Sequence, residues 1–314
     1  MKSFLLVYLA GFFIIAGSGC APAPLAATPT RTGNGAEIIF FDDFTYAARE
    51  EMTANGWVLR EGTGWPGVPG ARFRADNVSL VDAPDLPGNR LLRMTSSTDG
   101  TAEGTFQTQL CQQRKFFEGT YAARVRFRDE PEFGTDGDQI VETFYAITPY
   151  ERPMALDYSE MDFEYLPNGG WGSSPLTLFV TTWETVQIEP WNAVNVSTGV
   201  SGSLAGWHTL VAQVSGGEVR YFIDGKLVAQ HGDPYYPDAP MSLNLNLWFI
   251  NGGLAGAEDL REYHEDIDWV FYARDLVLSH ADIEAVIASL RDGEVAFRDD
   301  ILPWTPTLTS PCDL

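Results

Sequence analysis

From Glu37 onward the chain breaks into short runs of alternating or wholly apolar residues, each bounded by Gly, Pro, Asn or Asp. This rhythm leaves room for little except antiparallel β-structure. The runs fall at 37–41, 77–81, 91–95, 120–128, 139–147, 176–183, 209–214, 219–223, 242–250 and 267–273. Asp224-Gly225 between 219–223 and 226–229 is a two-residue hairpin signal. Neither a repeat period nor a strand–helix–strand alternation is present, so an all-β sandwich is expected rather than a parallel sheet. One helix is expected near the C-terminus. Ser279 can cap it, Asp282 sits in its first turn, Ile283, Val286, Ile287 and Leu290 form an apolar stripe, and Gly293 can end it. The stripe predicts that this helix packs on the outside of the sandwich.

The first twenty residues are of another kind. Lys2 precedes an apolar run over 4–16 that is too short for a comfortable membrane span, followed by Gly17-Ser18-Gly19 and Cys20. This reads as an export signal over 1–19, and Ser-Gly-Cys resembles the lipobox of bacterial lipoproteins, with Gly17 where that motif usually carries Leu. Acylation at Cys20 would make the chain a cell-envelope lipoprotein, touching the membrane only through its lipid; ordinary cleavage would make it secreted. Residues 20–35 are rich in Pro, Ala and Thr, as a tether would be. The remainder, 36–314, is expected to be one domain and a monomer. Apart from Cys20 the only cysteines are Cys111 and Cys312. In an oxidising compartment they can pair and pin the C-terminal tail to the body; two free thiols are the alternative.

Forty-three acidic residues against twenty Lys and Arg give a formal charge of −23, a field that repels phosphate backbones and so argues against nucleic acid as a partner. It also disfavours sulfated or uronate-rich polymers and leaves a neutral glycan as the better-matched polysaccharide. Nine Trp, twelve Tyr and nineteen Phe supply strand formers for a core and flat plates on which sugar rings can stack.

The segment Tyr158-Ser159-Glu160-Met161-Asp162-Phe163-Glu164-Tyr165 alternates cleanly. On a strand this puts Glu160, Asp162 and Glu164 on one face and Met161, Phe163 and Tyr165 on the other. Three like charges in register repel, and a purely solvated strand gains nothing from stacking them. Glu160-Met161-Asp162-Phe163-Glu164 resembles the Glu-x-Asp-x-Glu signature of glycoside hydrolase family 16, the lichenase and laminarinase group. Further segments match that family in order: Phe40-Phe41-Asp42-Asp43-Phe44; 119–127; Trp207-His208-Thr209; 219–225; Pro240-Met241 leading into 243–248; and Asp268-Trp269-Val270. The resemblance implies a concanavalin A-like jelly roll of two bent antiparallel sheets. It also implies a retaining endo-glycosidase acting on a β-linked, β-glucan-like polysaccharide, with Glu160 as nucleophile, Glu164 as general acid and then base, and Asp162 supporting the nucleophile. Because no extra residue separates Asp162 from Glu164, it further implies a regular catalytic strand without a bulge.

Retention places the working carboxyls about 5–5.5 Å apart, whereas residues four apart on a flat strand are separated by about 13 Å at about 3.3 Å per residue. The strand must therefore bend and the two Glu side chains lean together. Three neighbouring carboxylates cannot all ionise cheaply, so one is expected to hold a proton near neutral pH. Along 242–250, Leu243, Leu245, Leu247 and Phe249 face the core, leaving Asn244, Asn246 and Trp248 as candidate sugar contacts, with Trp171 and Trp183 as further candidate walls. His208 reads as a hairpin residue. No metal-ligand spacing is present and no cofactor is required; the resemblance offers Asp268 as a position for a structural Ca²⁺. A non-catalytic glycan-binding protein, or a transglycosylase, on the same framework are the alternatives to a hydrolase.

Overall fold

The structure, a computed structural model, describes residues 38–84, 87–305 and 308; the export segment, Cys20 and Cys312 lie outside them. In chain order the elements are β1 (Ile39–Asp42), α1 (Arg49–Ala54), β2 (Val58–Leu59), β3 (Arg72–Phe73), β4 (Val78–Asp82), β5 (Arg90–Thr98), β6 (Phe106–Cys111), β7 (Gly119–Phe127) and β8 (Ile140–Ile147). They continue with β9 (Glu160–Leu166), β10 (Thr177–Gln187), β11 (Asn192–Ser201), β12 (Gly206–Ser215), β13 (Glu218–Ile223), β14 (Lys226–Gly232), β15 (Ser242–Phe249), β16 (Arg261–Arg274), α2 (His280–Asp292) and β17 (Phe297–Asp299).

One layer runs β11–β10–β9–β8–β15–β6–β2. The other runs β14–β13–β12–β7–β16, with β1 and β5 both on the far side of β16. β6 passes between the layers: it begins beside β3 and β5 and ends beside β15. Among the described strand pairs only β3–β6 is parallel. The hydrogen-bonded network is continuous through all the strands and curves almost into a barrel, the jelly-roll sandwich expected from the sequence.

The alternation of each strand builds the core. Met161, Phe163 and Tyr165 of β9 and Leu243, Leu245, Leu247 and Phe249 of β15 meet Tyr121, Val125, Leu210, Tyr221, Ile267 and Tyr272 from the facing layer. Each large apolar side chain buried this way contributes about 1.5–3 kcal/mol, so a one-residue slip of β9, which would turn its acids inward, is strongly disfavoured. Register is accordingly regular: β9 pairs with β8 and with β10 without a shift. α2 is capped by Ser279, whose side chain accepts from the Asp282 backbone while the Asp282 carboxylate reaches back. Ile283, Ile287 and Leu290 bury against Phe41, Val211, Trp269 and Phe271 on the outer surface of the second layer.

Six elements do not follow from the pattern of apolar runs: α1, β2, β3, β6, β11 and β17. β6 carries Gln107, Thr108 and Gln109, all buried but hydrogen-bonded, so its polarity hides a central strand. β11 lies at the edge and is half-exposed along most of its length. β16 begins six residues earlier than the run at 267–273, because its charged residues are buried as pairs: Arg261 with Asp138, and Asp266 with Arg93 and Arg128.

Candidate active site

β9 lies between β8 and β10, and register fixes what surrounds each acid. Glu160 sits between Ile147 and Trp183, Asp162 between Tyr145 and Thr181, Glu164 between Thr143 and Phe179. Because the apolar half of β9 is committed to the core, all three carboxyls open into one cleft of about 570 Å³. Its other lining residues are Trp65, Pro66, Gly67, Thr143, Tyr145, Trp171, Phe179, Thr181, Trp183, Trp191, Asn195, Ser197, Asn246, Trp248, Ile250 and Asn251. Five are Trp, and none is Lys, Arg or His.

The acids are linked. Tyr158 donates its hydroxyl proton to Glu160 Oε2, and Trp183 Nε1 donates to Asp162 Oδ2 at 2.7 Å. Asp162 and Glu160 share a further hydrogen bond that favours the proton on Asp162 and the charge on Glu160. Burial pushes Glu160 up to about 7 against the pull of its two donors, Tyr158 and Asp162. Burial and then the adjacent Glu160 charge push Glu164 up to about 8. Burial, followed by the charges of Glu160 and Glu164, holds Asp162 well above the usual carboxylate range. All three are therefore harder to ionise than free carboxyls, because the cleft floor adds a desolvation cost to their mutual repulsion and no cationic side chain lines the cleft to relieve it.

Aromatic pairs frame the acids. Trp171 packs on Trp248 with centroids 5.8 Å apart, and Trp183 meets Trp191 edge-on at 6.2 Å. Trp171, Trp191 and Trp65 stand at the rim, 55%, 58% and 43% exposed, with faces free to stack on a ligand. Trp65 sits on a loop held by Arg60, which donates to the Trp65 carbonyl, and by Gln107, which donates to the Pro66 carbonyl. Asn246 lines the cleft with a buried side-chain oxygen that has no partner in the protein, an acceptor suited to a sugar hydroxyl.

Of the residues singled out in the sequence, Glu160, Asp162, Glu164, Trp171, Trp183, Asn246 and Trp248 converge on this cleft. Asn244 does not: fully buried between Tyr145 and Cys111, it turns its amide nitrogen onto Ser242. Trp65 and Trp191 could not be singled out, since both lie in turns where nothing in the spacing indicates a face. Tyr158 and Tyr145 lie next to strand acids and could have been found by continuing the alternation of β9 and pairing it with β8. Cys111 is buried and disulfide-bonded.

Asp268 is held by basic and amide side chains. Arg291 donates to Asp268 Oδ1 at 2.7 Å, Asn89 donates to the same oxygen at 2.9 Å, and Arg124 lies 3.5 Å from Oδ2. With two guanidinium groups already on the carboxylate, a divalent cation would meet like charge. Among the described residues no group of three or more His, Cys, Asp or Glu is arranged to hold a metal. His208 bonds Asp224 of the hairpin at 2.7 Å, as a hairpin residue should.

No protein-family profile matches the sequence, and no curated protein matches it. Solved structures do. A β-glucanase from Bacillus licheniformis is 16% identical with a TM-score of 0.54, the match covering 77% of this chain and 100% of that one. A glycoside hydrolase family 16 endo-glucanase from Bacteroides ovatus is 16% identical with a TM-score of 0.56, covering 74% and 98%. LamAcat from Zobellia galactanivorans is 16% identical with a TM-score of 0.54, covering 76% and 98%. The chain thus has the jelly-roll fold seen in family 16 glycoside hydrolases.

Proposed function

We propose that this chain is a retaining endo-glycoside hydrolase that cleaves a neutral, β-linked polysaccharide of the β-glucan type. The observation that carries the reading is the convergence of Glu160, Asp162 and Glu164 on one Trp-lined cleft that contains no cationic side chain. Three carboxyls, Asp162 buried and the two Glu half-buried, are costly to keep without a counter-charge, and a cleft of indoles, hydroxyls and amides suits uncharged sugars rather than sulfates or uronates.

In this mechanism Glu160, ionised and accepting bonds from Tyr158 and Asp162, attacks the anomeric carbon. Glu164, kept protonated by burial and by the Glu160 charge, gives its proton to the departing glycosidic oxygen. Once the glycosyl ester forms, Glu160 is neutral. The charge that raised Glu164 is then gone, its pKa falls, and it takes the proton from the incoming water. Asp162 remains a neutral donor throughout, fixed by Trp183. The export signal and Cys20 support action outside the cytoplasm, on the cell envelope or in the medium.

The test is to incubate the purified protein with β-1,3-, β-1,4- and mixed-linkage glucans and with β-galactan. New reducing ends and first-formed products of unchanged anomeric configuration are the expected result. Binding without new reducing ends would instead make the chain a glycan-binding protein, and lengthened products would make it a transglycosylase.

A further inference from the structure

The start of β9 holds a residue for which the three-acid signature has no role. Tyr158 is 3% exposed, and its ring is packed among Tyr145, Ile147, Ala155 and Val186. The next residue is tied on three sides. Ser159 N donates to Thr148 Oγ1 at 2.9 Å, Thr148 N donates to the Ser159 carbonyl at 2.9 Å, and Asp238 N donates to Ser159 Oγ at 2.9 Å. The phenol therefore leaves a rigid turn in one direction, and its hydroxyl rests on Glu160 Oε2.

We infer that Tyr158 is a positioning residue for the proposed nucleophile: its hydroxyl keeps the Glu160 carboxylate ionised and fixes its orientation in a cleft that offers no cation to do so. The inference rests on the hydrolase reading for its consequence, but its physical content does not depend on turnover. The titratable groups acting on this pair are few. Asp162 and Glu164 come from the same strand and Tyr145 from β8; the Tyr145 hydroxyl accepts from Gln109, which in turn accepts from Arg60. All but the distant Arg60 oppose a charge on Glu160 or are neutral donors. Ionisation of Glu160 is thus left to hydrogen bonding, and Tyr158 supplies one of its two donors.

The same bond biases the two chemical steps in opposite directions. Donation to Glu160 Oε2 lowers the basicity of the carboxylate, which makes it a slightly weaker attacking group and a better leaving group when water opens the glycosyl ester. Electron pairs and protons balance without Tyr158 changing its own state: it donates to a carboxylate oxygen before attack and again after departure.

Tyr158→Phe removes one oxygen and keeps the ring in its packing site. Losing a charge-assisted donor raises the Glu160 pKa by about one unit, which is tenfold in the ionised fraction on the acid side of its titration. The acidic limb of kcat/KM against pH is expected to move up by that amount in Tyr158→Phe. Activity near pH 6 should fall about tenfold, and much less above pH 8. A loss equal at all pH values, or an unmoved limb, would overturn the inference. ¹³C NMR titration of the Glu160 carboxyl, in the full chain carrying labelled glutamate, reads the same shift with no substrate present. If wild type cleaves nothing but the carboxyl still shifts in Tyr158→Phe, the hydrolase reading fails and the Tyr158 contact stands. An unshifted carboxyl in an active enzyme refutes the Tyr158 role alone.

Discussion

Glu164→Gln should make the protein more resistant to unfolding, and by an amount that grows with pH. In the folded chain Glu164 is raised from an ordinary 4.5 to about 8, first by burial and then by the Glu160 charge. Below pH 4.5 the carboxyl is protonated whether the chain is folded or not, and its contribution is fully present. Between pH 4.5 and 8 the unfolded chain releases the proton while the folded chain keeps it, so stability is lost as pH rises, and above pH 8 the loss is complete. The full interval of 3.5 pH units corresponds to about 5 kcal/mol at about 1.36 kcal/mol per unit. Glu164 is only half-buried at the cleft floor, and water and the coupled acids relax part of this, so about 1–3 kcal/mol is the expected size. Gln keeps the shape and cannot ionise. Urea unfolding followed by Trp fluorescence, at pH 5 and pH 9 in both proteins, isolates the effect as a difference of differences, since Glu160, Asp162 and the other buried acids titrate in both. Stability curves for wild type and Glu164→Gln that run parallel across this range would show that the site imposes no such penalty on Glu164 and would remove the reason for assigning it the proton.

The remaining expectations follow from the same geometry. Glu160→Ala and Glu164→Ala each abolish release of reducing ends while circular dichroism stays that of a folded β-protein; turnover near the wild-type rate in either removes that residue from the mechanism. Asp162→Asn keeps a donor beside Glu160 and should cost about 10–100-fold in kcat, against 10³-fold or more for Asp162→Ala, which keeps none; equal losses would deny Asp162 the role of donor. Arg291→Ala strips the 2.7 Å contact from buried Asp268 and should lower stability by about 3 kcal/mol, whereas EDTA leaves the wild-type unfolding midpoint where it was; a fall with EDTA would restore the metal site. Trp171→Ala and Trp191→Ala are each expected to weaken polysaccharide affinity about 10-fold, as loss of about 1.4 kcal/mol of stacking requires, with isothermal titration against the cleaved polymer as the measurement.

How much was legible in the sequence depended on where polarity and burial coincide. β9 and β15 were legible down to the facing of each residue because their core sides are uniformly apolar and their cleft sides uniformly polar or indole. β16 was legible only in its second half. Its first half buries Arg261 and Asp266, and a strand whose charges are neutralised by distant partners such as Asp138 and Arg93 does not differ from a solvated loop in one sequence. The same blindness concealed β6. It misled the reading of Asn244 too: alternation places that residue on the cleft face, but a residue on the correct face can still be sealed by its neighbours. Asp268 has partners that its own strand does not indicate. The position matches a family pattern, yet its partner Arg291 comes from α2, and no pattern confined to β16 contains that helix.

The arrangement of the cleft also explains why strand packing and electrostatics cannot be separated here. Glu160 and Glu164 share one face of β9 on either side of Asp162, in regular register between β8 and β10. They open into one poorly solvated cleft, where burial and then the charge on Glu160 raise Glu164, and in the proposed mechanism these two penalties let one carboxyl be nucleophile while its neighbour holds a proton at the same pH. That face is in turn secured from behind, by Met161, Phe163 and Tyr165 in the core, and just before the strand by Ser159 and Tyr158. Loosening the strand from the core side, as Phe163→Ala would by opening a cavity costing about 3–5 kcal/mol, should therefore lower the Glu164 pKa from about 8 and narrow the pH range of activity from its alkaline side. A stable Phe163→Ala protein with an unshifted alkaline limb would mean that the proton on Glu164 does not depend on how the core holds β9.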